Sequence, residues 1–571
     1  MRRLALRALI FNTALAATAL VAPGARAANP DVNGNWKLML VGPFRESELL
    51  LLDVKDHAGK VVASIKDYPK QQFREVPIVS GFATHKGAVT FGVDFGVKGA
   101  FKGKTAKDGS ITGVLSINDQ AIPTRLVKTD AQKLEPGPTA APESMQAYMA
   151  LRAEKDLKAK ATKLAALIAK NPGSPTLAMI YTDLFKSAGA AGFSLAEVKK
   201  FATERIEGIK IYDADLGTSV TAEIVNDLSS SKELAPLALE LATGAEKELA
   251  ADAPVATKAS LATALAAAAR AAGNKELLAK AEGQVKMLDA ALDTEYHKKV
   301  PPFKPEISAA GKDRKSDRVV VMELFTGAQC PPCVAADVAF DALISTYKTK
   351  ELITLQYHEH IPGPDPLTNG DSQVRFKYYP GLRGTPSVLF DGKNVPEEVA
   401  GGGGMGDAKM KYDQYRPLID KELERPSEAK LNLKVDRIGD AITINASAQA
   451  EDAKSDQLKL RLVLVEDVVR YTGGNKLRFH HHVVRGLPGG VEGKALSKGQ
   501  GKTEVTVNLA EVRKGLEQYL SDFTKAGRAF PKDLPPINLD KLSVVAFVQD
   551  DSNQAILNAA VLPVAEKAPT P

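Results

Sequence analysis

The stretch Val319-Val320-Val321-Met322-Glu323-Leu324-Phe325-Thr326-Gly327-Ala328-Gln329-Cys330-Pro331-Pro332-Cys333 decides how the chain is read. Residues 319–325 form an apolar run with the length and β-branched content of a buried strand. A helical pattern follows the cysteines to residue 347. Cys330 and Cys333 are the only two cysteines among 571 residues. A C-x-x-C at a strand-to-helix junction holds two thiols one helical turn apart, as thiol–disulfide exchange requires, because the first attacks a disulfide and the second resolves the mixed species. Cys330, at the N-cap, gains from the helix macrodipole and free amides and is expected to be the exposed nucleophile. Cys333 is the resolving thiol. Zinc would need two further ligands, and there is no second C-x-x-C, which leaves an inert structural disulfide as the plainer alternative.

The N-terminus indicates where such a pair would work. Arg2, Arg3 and Arg7 precede an apolar stretch over 8–21, and Ala25-Arg26-Ala27 offers the small residues a signal peptidase reads. The stretch is too short and too diluted by Asn12, Thr13 and Thr18 for a membrane anchor. A Sec-type signal peptide over 1–27, cleaved near Ala27, and a periplasmic or secreted product are expected, with no stable membrane insertion after its removal. Its loss takes away four arginines and no acid, leaving 71 basic against 69 acidic residues, a formal +2. A balance so close to neutral gives no electrostatic case for binding nucleic acid. With 44% hydrophobic and 25% charged residues the composition is that of a globular protein, and its length suits several cores.

Local patterning divides the remainder. Residues 28–130 alternate apolar and polar in short runs and read as a small β-barrel or sandwich, anchored by Trp36, the chain's single tryptophan. A linker at 131–142 leads to 143–298, rich in Ala, Leu, Lys and Glu at helical spacing and cut by turn residues into six or seven helices, with helical-hairpin repeats as one possible arrangement. A second linker at 299–312 precedes the dithiol region, 313–425. Residues 426–565 return to strand alternation, with a helix-like insert at 509–526.

Three resemblances accompany these readings. The C-P-P-C segment with its helix, the strand at 352–358, and Tyr379-Pro380-Gly381-Leu382-Arg383-Gly384-Thr385-Pro386-Ser387-Val388-Leu389-Phe390-Asp391-Gly392 together resemble the thioredoxin-like superfamily, as found in secreted multidomain bacterial proteins. That likeness covers 313–425 and implies a cis-proline at Pro386 facing the dithiol. The Thr385 backbone would then be free to pair with an extended substrate strand. Gly34-Asn35-Trp36 resembles the G-x-W opening of lipocalin-like barrels. Residues 467–485 resemble a β-domain that follows the thioredoxin module in some large secreted bacterial proteins.

Further details qualify the site. Pro331 and Pro332 remove two amides that could stabilise a Cys330 thiolate, which predicts a potential nearer the thioredoxin end (about −270 mV) than the strongly oxidising end (about −120 mV). Gln329 stands where many relatives carry Trp. Glu323 is expected on the far side of its strand and stays outside the catalytic set. His358, at the carboxyl end of the 352–358 strand, is a candidate for tuning the thiolate, although a polar loop entry is the simpler reading. Residues 401–404, four glycines, read as a mobile connection or a gating lid. His480 and His482 would share one strand face, and no third metal ligand is named.

The expected fold class is therefore multidomain: N-terminal all-β, α-helical middle, thioredoxin-like α/β domain and C-terminal β-sandwich. The expected function is an exported thiol–disulfide oxidoreductase, with Cys330, Cys333 and Pro386 catalytic, Thr385 binding substrate, His358 tuning, and no cofactor or metal. Its partners would be exported proteins and an unidentified redox partner. The alternative is a non-enzymatic cell-envelope assembly or binding protein that uses the thioredoxin fold as a scaffold.

Overall fold

A computed structural model describes residues 31–566, apart from 58–59, 72, 74–75, 97, 118–119, 136, 138–139, 309–315, 451–455 and 532–533. The expected signal peptide lies outside the described residues. The chain divides into two compact units between Glu282 and Gly283.

The first unit opens with eight strands: β1 (Gly34–Val41), β2 (Glu46–His57), β3 (Lys60–Asp67), β4 (Ile78–His85), β5 (Ala88–Asp94), β6 (Lys98–Thr105), β7 (Ile111–Ile117) and β8 (Gln120–Lys128). Their order is β3-β2-β1-β8-β7-β6-β5-β4, antiparallel throughout, so that β1 joins β8 and the sheet curls toward a barrel. Its interior is filled by side chains. Trp36 donates its indole N–H to Val32 O at 2.8 Å, and Phe82, Phe91 and Phe101 stack in succession at 5.1 and 4.8 Å. Eight helices follow: α1 (Glu143–Leu151), α2 (Leu157–Ala169), α3 (Ala178–Ala188), α4 (Leu195–Lys210), α5 (Ala214–Leu228), α6 (Ala235–Glu248), α7 (Val255–Ala271) and α8 (Lys275–Lys299), the last of which continues past the unit boundary. Local chemistry sets their starts: Asp156 and Asp213 cap α2 and α5, and Ser194 with Glu197 forms a reciprocal capping box on α4. Leu164, Ile168, Ile180, Leu184 and Val225 build their shared core. Strands and helices touch within this unit, since Phe44 packs on Tyr148 and its N–H donates to Thr176 O.

The second unit contains β9 (Val320–Thr326), α9 (Val334–Thr346), β10 (Leu352–His358), α10 (Gly370–Tyr378), β11 (Ser387–Phe390), β12 (Lys393–Asn394), α11 (Ala408–Leu423), β13 (Ala429–Ile438), β14 (Ala441–Ala450), β15 (Leu458–Arg470), β16 (Phe479–Gly486), β17 (Lys494–Ala495), β18 (Gln500–Asn508), α12 (Leu509–Lys525), β19 (Leu542–Asp550) and β20 (Ile556–Pro563). Here the expected fold class is corrected. A thioredoxin-like domain and a separate β-sandwich do not form. One nine-stranded sheet runs β12-β11-β9-β10-β16-β15-β19-β20, with β17 on β15, and takes strands from both regions. The joint is a parallel pairing of β10 with β16 at Gln356 and Val483, 127 positions apart in sequence. Only β13, β14 and β18 make a second sheet, which packs Ile442, Ile444 and Ala446 onto Leu460, Leu462 and Val544 of the first. Periodicity marks a strand but says nothing of its neighbour, and so the strands were legible while their partners were not. β9 and β10 are buried at every residue, as central strands covered on both faces must be.

One buried cluster ties α10 to this sheet. Arg375 donates from Nε and Nη2 to the two carboxylate oxygens of Glu323 at 2.8 and 3.0 Å, from Nη2 to Tyr379 Oη at 2.7 Å, and from Nη1 to Gln549 Oε1 at 2.8 Å. Glu323 thus holds α10, and Arg375 extends the tie to β19.

Candidate functional site

β9 ends at Thr326 and the chain turns through Gly327, where a Cβ would meet Ile361 O at 2.6 Å. Cys330 N–H closes the turn onto Gly327 O at 2.9 Å, and Pro331–Cys333 form one 3-10 turn leading directly into α9. Proline suits this position because first-turn amides have no intrahelical acceptor. Cys330 and Cys333 are joined as a disulfide with Cα atoms 5.3 Å apart.

β11 pairs antiparallel with β9, Ser387 opposite Phe325, and so delivers the two preceding residues beside the disulfide. The Thr385–Pro386 peptide is cis. Thr385 Oγ1 lies 3.4 Å from Cys330 Sγ and donates to it; Thr385 O lies 3.8 Å from the same sulfur. A disulfide sulfur has no proton, so the carbonyl gains a donor only when Cys330 is reduced.

Exposure differs from expectation. Cys330 is 1% exposed and Cys333 0%, whereas Pro331 and Pro332 face solvent. The first thiol is therefore covered, not presented. Two distant glycine-bearing segments flank it. On one side Gly403 N–H donates to Pro332 O at 2.7 Å and Ala335 N–H to Gly403 O at 3.0 Å, while a Cβ on Gly402 would meet Pro332 O at 2.4 Å. The buried Lys411 ammonium holds the start of this segment through Val399 O and Ala400 O. On the other side the β15–β16 turn grips the approach to Cys330. Asn475 N–H donates to Ala328 O, Gly474 N–H to Gln329 Oε1, and Gln329 Nε2 to Tyr471 Oη. Gln329 thus commits both ends of its amide to the hairpin. Arg470 and Arg478 on the hairpin arms pair with Asp293 of α8 at 2.8 and 2.7 Å. A helix N-terminus is visible in sequence, but loops arriving from 70 and 140 positions away are not, which is why the motif read as exposed.

A buried polar chain that the sequence reading missed, apart from His358, joins α9 to β9 and β10. Asp337, four residues beyond Cys333, accepts from Thr326 Oγ1 at 3.0 Å and Gln356 Nε2 at 3.1 Å. Burial pushes its carboxyl well above the ordinary range. Gln356 Oε1 meets His358 Nε2 at 3.1 Å, and His358 Nδ1 meets Asp365 Oδ2 at 2.8 Å. Asp365 also accepts from Ala328 N–H at 2.6 Å and Leu367 N–H at 2.8 Å. Burial raises Asp365, but His358 and the amide donors outweigh it and leave the carboxyl below its usual value. The available signal was Asp337 itself, a lone acid in the run Val334-Ala335-Ala336-Asp337-Val338-Ala339.

His358 is fully buried, with both ring nitrogens facing oxygens, and the contact it makes toward the dithiol turn runs through Asp365. His480 accompanies it edge to face at 4.9 Å, and burial lowers that imidazole to about 3. The three neighbouring histidines go separate ways: His480 Nε2 to Tyr471 O, His481 Nδ1 to Asp341, and His482 Nδ1 to Thr354. Among the described residues no three His, Cys, Asp or Glu side chains gather as a metal site. No helix among them is long and apolar enough to cross a membrane.

No family model and no curated protein matches the chain. Among solved structures it is aligned with Pseudomonas fluorescens alkylpurine DNA glycosylase AlkC bound to DNA containing an abasic site analog. Identity is 12%, coverage is 74% of this chain and 85% of that chain, and the TM-score is 0.15. A likeness of that order carries no argument about fold or activity.

Proposed function

We propose that the protein is an exported thiol–disulfide oxidoreductase acting on other exported proteins through Cys330 and Cys333. The observation that carries this reading is the approach of both Thr385 oxygens to Cys330 Sγ. A structural staple has no use for a hydroxyl donor and a free carbonyl at its first sulfur. In the reducing direction the Cys330 thiolate attacks a client disulfide, forming a mixed disulfide and expelling one client thiolate. The Cys333 thiolate then attacks Cys330 Sγ, expels the second client thiolate and leaves the Cys330–Cys333 disulfide, so that two electrons pass to the client. Run backward, the same steps oxidise a client dithiol. Asp337, one turn beyond Cys333 in α9 and biased toward its protonated form by burial, is the group we assign to exchange a proton with the resolving thiol.

Because both cysteines are covered, a protein client requires the 401–404 segment or the hairpin turn to withdraw first. That same burial favours the second reading, a non-enzymatic cell-envelope assembly or binding protein in which the disulfide only secures the start of α9. Insulin reduction by the purified protein separates the two. Turnover abolished by Cys330→Ser supports the enzyme, and no turnover in the wild type supports the scaffold.

A further inference from the structure

We infer that the pocket between α12 and β16 receives a bulky apolar side chain of the client polypeptide, a few residues from the cysteine being exchanged; this rests on the exchange reading above. The pocket holds about 410 Å³ and is walled by Leu464, Leu487, Pro488, Val512, Leu516 and Tyr519. That volume and lining suit an aromatic or leucine-like group. Gly515 also lines it, and no atom lies within 4 Å of where its Cβ would stand. Glycine is a poor choice inside a helix, so its presence on this face keeps space that a side chain would fill.

Several polar groups at the base are engaged within the fold, so the apolar wall sets the character of the pocket. Arg485 is buried and donates to Glu466 at 2.7 Å, and Asp371 Oδ2 accepts from Leu487 N–H at 2.7 Å. Asn369 accepts from Ser372 N–H and donates to Val484 O. A neutral apolar side chain fits these walls without needing a charge partner.

Continuity with the dithiol supplies the occupant. Tyr519 Oη and His360 Nε2 are 3.0 Å apart, and the next carbonyl along, Ile361 O, lies 3.5 Å from Thr385 Oγ1. The Thr385 hydroxyl is also the group on Cys330 Sγ. Pocket and sulfur therefore share the loop 360–362. An extended peptide advancing about 3.3 Å per residue past Thr385 brings a nearby side chain to Tyr519.

The test uses the full chain and two dye-labelled, unstructured peptides that contain a cysteine activated as a mixed disulfide and differ only by Phe or Ser four residues away. Trapping by the Cys333→Ser variant should favour the Phe peptide by about tenfold, the worth of burying one such side chain in part. Gly515→Leu and Val512→Asn, each made in that background, should bring the ratio close to one. Equal trapping of the two peptides, or a ratio untouched by both substitutions, overturns the pocket. Fluorescence anisotropy with cysteine-free versions reads the pocket without sulfur chemistry. Phe-selective binding lost in both variants but without any trapping would uphold the pocket and reject the exchange reading.

Discussion

Thr385 and Cys330 meet through a hydroxyl and a sulfur 3.4 Å apart, although 55 positions separate them in sequence. The hydroxyl stabilises a thiolate more than it does a disulfide sulfur, so Thr385→Val should disfavour the reduced form. A hydrogen bond to a charged group contributes about 1.5–3 kcal/mol, equivalent to a fall in reduction potential of about 30–60 mV. Equilibration with glutathione measures it, and an unchanged potential would deny the hydroxyl any such role.

Gly402→Ala should loosen the 401–404 segment, because its methyl would meet Pro332 O at 2.4 Å. Reduction of the wild-type disulfide is expected to saturate with dithiol concentration at an opening rate. In the variant that plateau should rise, with a stability loss of about 1–3 kcal/mol from the forced contact. Stopped-flow reduction and urea unfolding report the two effects.

Removing one partner of the Glu323–Arg375 pair leaves a buried charge alone. Arg375→Met should cost about 3–5 kcal/mol, and combining it with Glu323→Leu should restore part of the loss. Chemical denaturation of the single and double variants gives the answer.

Much of this architecture could be read from residues alone. Alternation within 426–565 marked real strands, the turn residues within 143–298 separated real helices, eight rather than six or seven, and the C-P-P-C motif did stand where a strand passes into a helix. The lines that failed concern what lies far away in sequence. Nothing in Leu352-Ile353-Thr354-Leu355-Gln356 names β16 as its neighbour, nor does Gly473 announce that it will pack on Ala328 so closely that a Cβ would come within 2.1 Å of its carbonyl. Asp337 carries no family landmark, and its partners Thr326 and Gln356 stand on strands 11 and 19 positions away.

Glu359 gives a pH dependence. Burial, with Asp365 adding to it, pushes this carboxyl from its ordinary 4.5 up to about 8. Between those values the folded chain holds a proton that the unfolded chain releases, so stability declines as pH rises through this window. Glu359→Gln should flatten the decline and be relatively more stable at pH 8 than at pH 5. Urea midpoints at both pH values test it.

His481 acts in the same direction for a different reason. Burial alone would lower its imidazole, but Asp341 at 2.8 Å outweighs that and leaves it raised. The pair's contribution is then complete below the unfolded value near 6.5 and fades as pH climbs through the folded one. His481→Gln should reduce Tm more at pH 5.5 than at pH 8.5, as calorimetry can establish.

The parallel seam of β10 on β16 has a practical corollary for anyone dissecting this molecule. A fragment cut at the end of α11 would leave β10 with one naked border and Phe325, Leu355 and Tyr357 without the Val463, Val484 and Phe547 they pack among. Such a piece would be a sticky half-sheet. The dithiol strand and the last hundred residues share one sheet and one core, so removing either end is expected to undo the other.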